Sequence, residues 1–124
     1  MRKVVVTKTT AQALRDMGYD EYCDCYLHTD NDREDDYEMW PRNQHCNSEL
    51  PDTAERIAAP YVTDALLWLM ERKGIKFDVQ SVPFPGSGWE YYLTVKHPEG
   101  HISLNGADFQ EVLSAALDEV VSKI

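Results

Sequence analysis

The chain has 124 residues, 43% of them apolar, and a formal net charge of −10. That length expects one domain, and that apolar content excludes a disordered chain. The excess of acid repels phosphate backbones and argues against generic nucleic-acid binding. The charge is uneven: residues 16 to 55 hold 13 of the 22 acids and only Arg33 and Arg42 as bases, a net of −11. Met1-Arg2-Lys3 leads only into Val4-Val5-Val6, far short of a signal-peptide core. The longest apolar run, Ala65 to Met70, is too short to span a bilayer, so no membrane contact is expected. Three cysteines, two of them at i and i+2, point to reduced thiols in a cytoplasm.

In chain order, Arg2 to Thr7 reads as a strand or extended entry. Thr9 or Thr10 can cap a short helix from Ala11 to Met17, with Gly18 as its left-handed stop. Tyr22 to His28 alternates as a strand: Cys23, Cys25 and Leu27 turn inward, and Tyr22, Asp24, Tyr26 and His28 turn outward. Residues 29–58 have little pattern and read as a long acidic loop, functional, partly structured or mobile. It contains the charge run Asp30 to Asp36 and the turn formers Pro41, Asn43, Asn47, Ser48, Pro51 and Asp52. Tyr37, Met39 and Trp40 are expected to anchor it.

From residue 59 the punctuation is clean. Pro60 suits the first turn of a helix with Val62, Leu66, Leu69 and Met70 inside, widened by Leu67 and Trp68; Gly74 ends it. Ile75, Phe77 and Val79 alternate, as do Trp89, Tyr91, Leu93 and Val95, so both runs read as strands joined through Pro83 to Gly88. Trp89 and Tyr91 are expected in the core, and Tyr92, Phe84 and Trp40 partly outside it. Pro98-Glu99-Gly100 turns into a third strand, His101 to Leu104. Phe109, Val112, Leu113, Ala116, Leu117, Val120 and Val121 form the inner stripe of a closing helix.

This gives an α+β fold with one antiparallel sheet of about three to five strands. Two helices are expected on one face of it, with the early helix and strand added. The 59–124 order, α-β-β-β-α, has the topology of a double-stranded-RNA-binding domain. Such domains grip phosphates with lysines at the start of the last helix. Asp108-Phe109-Gln110-Glu111 stands there instead, which rejects the function while keeping the shape.

An ordered set of short motifs resembles a family of small uncharacterised α+β proteins from gut-bacterial phages and mobile elements. The set runs Met17-Gly18-Tyr19, Cys23, Asn47-Ser48, Ala59-Pro60, Leu66-Leu67-Trp68-Leu69, Trp89-Glu90-Tyr91-Tyr92 and Phe109 to Leu113. It covers most of the chain. Tyr61 stands where the family more often has Thr, and the acidic stretch near Asp30 is unusual for it. The resemblance implies an origin and a fold class, and no activity.

Several constellations bear on chemistry. Cys23, Cys25 and His28, with His45 and Cys46 on the loop, are soft ligands that suit zinc. Against that, C-x-C is not the usual knuckle, and inward cysteines on a strand read as small apolar side chains. Asp30 to Glu34 echoes a calcium loop, but Asp35 replaces the required Gly and Pro41 the required Glu. Cys46 follows His45 in a polar loop that could expose it; neighbouring acids disfavour its thiolate. Asp24, among Tyr22, Tyr26 and His28, is the one carboxylate in a setting that suggests acid–base work, and a solvated strand face explains it equally well. Pro85-Gly86-Ser87-Gly88 lacks the Lys and helix of a phosphate loop. No catalytic, metal or cofactor site is assigned.

The expectation is a non-enzymatic accessory protein of a phage or mobile element. It would meet a basic protein partner through Asp30, Asp32, Glu34, Asp35, Asp36 and Trp40. The alternative is a small ligand-binding domain or enzyme, with a pocket at the loop edge of the sheet that uses Asp24, His28 or Cys46.

Overall fold

The computed structural model describes residues 4–51, 55–86 and 88–124. Arg2 and Lys3 of the expected entry, Asp52 of the loop, Ser87 of the hairpin turn and the Phe84 side chain lie outside that description. The protein is α+β. Its described residues form three helices and two antiparallel three-stranded sheets, so the single sheet expected from the sequence is in fact two. The chain divides into two compact units, Met1–Ala65 and Leu66–Ile124.

In the first unit, α1 is Lys8–Asp16. It starts three residues earlier than its apolar pattern suggests, because Thr7 is the cap and its side chain accepts from Thr10 N. At the other end Gly18 has φ of 96°. Gly18 N–H donates to Arg15 O and Tyr19 N–H to Leu14 O. These are the paired bonds of a Schellman stop, which needs the left-handed residue at this point. The entry is extended: Val5 bridges Tyr61, and Val6 N–H donates to Pro60 O at 3.0 Å.

The sheet of this unit has the order β2-β1-β3, with β1 at Cys25–His28, β2 at Tyr37–Met39 and β3 at Arg56–Ala59. Both outer strands come from the stretch read as one long loop, which also holds a short 3-10 turn at Asn47–Glu49. Strands of three and four residues are too short to show a period, so only pairing reveals them. Cys23, Cys25 and Leu27 are buried as expected, with Ile57 and Ala59 beside Leu27 and Cys25 in register; Tyr26, expected outward, is buried as well. α1 packs on β3, and its Ala11 and Leu14 are buried. Each such leucine contributes roughly 1.5–3 kcal/mol by leaving water.

The unit boundary falls within α2, Val62–Lys73. Its buried positions are Val62, Ala65, Leu66 and Leu69, a stripe at helical spacing. Leu67 and Met70, expected inside, are exposed. Both lie well off the axis of that stripe, Leu67 nearly opposite to it.

The second unit continues as a meander of β4 (Lys76–Phe84), β5 (Gly88–His97) and β6 (Gly100–Gly106), closed by α3 (Phe109–Val121). α3 lies on β5 and β6. Asp108 caps it, accepting from Gln110 and Glu111 N–H. Val112, Leu113, Ala116, Leu117, Val120 and Val121 are buried, as their spacing predicts. The approach is close at Gly106, where any Cβ would stand 2.7 Å from Val112 Cγ2.

Trp89 departs from expectation: it is 53% exposed. β6 ends opposite Tyr91, and α3 begins against the same residue, with the Phe109 and Tyr91 rings 5.5 Å apart. The hairpin runs on past both, so the Pro83–Trp89 pair has no third strand beside it among the described residues.

Candidate functional site

The Asp30 to Asp36 segment forms a strap fastened to the start of α1. Glu34 accepts from Thr9 N–H at 2.8 Å and from Thr9 Oγ1 at 2.9 Å, and its carbonyl accepts from Lys8 N–H at 2.8 Å. A carboxylate there serves both the orphan N–H groups and the positive end of the helix dipole. Lys8 is buried, and its Nζ donates to the carbonyl and to Oδ1 of Asn31. Asn31 Oδ1 also accepts from Arg33 N–H, and its Nδ2 donates to Asp36.

These contacts divide the expected partner residues. Glu34 and Asp36 hold the strap in place. Asp30, Asp32 and Asp35 are exposed, and no ion pair reaches them among the described residues. Trp40 is not with them. It sits past β2 with its ring 5.0 Å from that of Tyr26 and 4.9 Å from that of His45. β2 is an edge strand, and its Tyr37 and Met39 are exposed.

The outward face of this sheet carries a polar cluster. Glu38 pairs with Tyr26 in register; its Oε2 accepts from Tyr26 OH at 2.6 Å and lies 3.2 Å from His28 Nε2. The Arg56 guanidinium lies 5.1 Å from the centre of the Tyr26 ring. Asp24 accepts from Tyr61 OH at 3.1 Å and from Gln44 Nε2 at 2.6 Å. The Tyr26 hydrogen bond, followed by that of His28, holds the Glu38 carboxyl below its ordinary range. That same bond leads in raising the Tyr26 phenol. Burial, then the bond to Asp24, pushes Tyr61 up to about 12. A base made weaker and phenols made less acidic suit neither proton abstraction nor nucleophilic attack near neutral pH.

Sequence reasoning found Asp24, Tyr26 and His28 but missed Glu38, Gln44, Arg56 and Tyr61. Their only signal is cross-strand and long-range pairing, which needs β2 and β3 to be known first.

The cysteines are free and buried. Burial pushes the Cys23 thiol up to about 12 and also raises Cys25. Cys46, expected in an open loop, is 5% exposed, with its Sγ near Ser48 Oγ and Glu49 Oε1. Cys23 meets His45 through main-chain hydrogen bonds. No group of three or more His, Cys, Asp or Glu among the described residues is arranged to hold a metal ion.

A cleft of about 520 Å³ opens between the end of α1, the 3-10 turn and the start of β3. Arg15, Tyr19, Asp20, Asn47, Ser48 and Arg56 help line it. Asp24, His28 and Cys46 do not. In the second unit, Val79, Val82, Trp89 and Tyr92 expose apolar surface on the β4–β5 hairpin. No described helix is long and apolar enough to cross a membrane. Compared with family models, curated proteins and solved structures, the chain matches none.

Proposed function

We propose that the protein is a non-enzymatic accessory protein, of the phage or mobile-element kind its sequence resembles. It binds a basic protein partner through the Asp30–Asp36 strap and the Tyr37–Trp40 segment that follows. One observation carries the reading. Glu34 and Asn31 fasten the strap to α1, while Asp30, Asp32 and Asp35 stay exposed with no ion-pair partner among the described residues. Holding like charges together has a Coulomb cost, which an arriving cationic surface relieves. Exposed Tyr37 and half-buried Trp40 are of the residue types that anchor interfaces. Three free, buried thiols support a cytoplasmic setting.

The test is capture of partners from host-cell extract by the wild type and by an Asp30→Asn/Asp32→Asn/Asp35→Asn variant, at low and high salt. Glu34 and Asp36 are kept because they hold the strap. The expected result is a basic protein retained at low salt, released at high salt and lost with the variant. Undiminished retention by the variant would remove the strap from the account.

A further inference from the structure

We infer that the cleft between α1, the 3-10 turn and β3 is a binding site for a small organic oxyanion, a carboxylate or phosphate carried on an apolar body, gripped by Arg15 and Arg56. This stands apart from the strap and needs no protein partner.

Arg15 and Arg56, which bracket the acidic 16–55 stretch in sequence, both line this cleft, together with one acid. The acid, Asp20, is already engaged: its Oδ1 accepts from Ser48 N–H at 2.7 Å. That bond holds its carboxyl below the ordinary range. Asn47 is engaged on both sides, donating to Tyr19 O and accepting from Ala58 N–H, each at 3.0 Å. The walls are therefore fixed by internal hydrogen bonds.

The two guanidiniums are not satisfied in that way. Arg15 has one exposed contact with Asp16, at 3.9 Å, a surface pair of little strength. Arg56 rests over the Tyr26 ring, a contact that uses none of its N–H donors, and no ion pair reaches it among the described residues. A planar fork with open donors matches the geometry of a carboxylate or phosphate. Tyr19, Leu50 and Pro51 supply apolar wall beside them. The volume falls within the range of small-molecule sites, roughly 300–1,000 Å³.

The experiment follows the arginine side-chain Nε–H signals of the ¹⁵N-labelled protein during titration. Sodium phosphate is one probe and sodium benzoate the other, each at constant ionic strength against chloride. Saturable shifts at Arg15 and Arg56 are expected, with Arg42 and Arg72 as internal controls outside the cleft. Tighter benzoate binding assigns the site to carboxylates with an apolar body; tighter phosphate binding assigns it to phosphates. Arg56→Gln is expected to weaken either probe by roughly tenfold or more. Arg15→Gln, on the exposed end of a helix, gives the same reading if Arg56→Gln disturbs the fold. Shifts that never saturate, that appear equally at Arg42 and Arg72, or that survive both substitutions would overturn the assignment.

Discussion

The two units are held together by different means. The second, Leu66–Ile124, rests on strands of nine, ten and seven residues joined in sequence, with one apolar helix face laid on them. The first has strands of only four, three and four residues. Besides its own apolar core, polar side-chain bonds between distant residues fasten it: Glu34 to Thr9, Asn47 to Tyr19 and Ala58, Asp24 to Tyr61, and Glu38 to Tyr26. A unit built from apolar periodicity leaves little of its surface chemistry fixed. A unit whose apolar core is supplemented by polar ties displays charges and aromatic rings in set positions, and both the strap and the cleft belong to it.

The largest test of this contrast is Leu113→Ala. Removing a fully buried side chain from α3 is expected to cost about 2–5 kcal/mol. Urea unfolding measures the loss. If the units rely on separate interactions, Cys23 stays shielded from thiol reagents at urea concentrations where α3 has melted. Simultaneous exposure of Cys23 would break the comparison.

Asn47→Ala should act in the opposite unit. It removes two hydrogen bonds and leaves the buried Ala58 N–H without its acceptor, at a cost of about 1–3 kcal/mol. Hydrogen exchange should quicken in β1 and β3 and stay unchanged in β5. Glu34→Ala is a smaller change, about 1 kcal/mol for a lost helix-terminus acceptor. Its mark is faster exchange at Lys8, Thr9 and Thr10 than in the wild type.

Alkaline pH gives the mildest test. Folding raises the pKa of Cys23 and Tyr61, each to about 12. A raised pKa means the folded state keeps the proton longer. That contribution is therefore whole below the unfolded pKa of each group and is lost as pH rises through the folded value. Stability should decline from about pH 9 upward, with loss of protection in the first unit leading. A first loss in β5 or α3 would contradict the assignment of these groups as its weak point.

The same contrast explains what the sequence disclosed. Val112 to Val121 and the alternation of Leu93 and Val95 are repeated signals between near neighbours, so the second unit was legible almost element by element. Trp89 was the exception: its parity is right, but where β6 and α3 stop decides its exposure, and parity carries no such information. In the first unit, Tyr26 meets Glu38 across 12 residues and Tyr61 reaches Asp24 across 37. No local pattern announces such pairs. The strap was visible as charge, and its fastening to Thr9 and Lys8 was not. Nothing along the chain marks Arg15 and Arg56, two bases 41 residues apart, as neighbours.

The most direct measurement is a hydrogen-exchange footprint of the protein alone and with the basic partner captured in the salt-dependent experiment. The account predicts slowed exchange across residues 30–40 and none in Leu66–Ile124. Protection centred on the β4–β5 hairpin, where Val79, Val82 and Trp89 are exposed, with residues 30–40 unchanged, would contradict it.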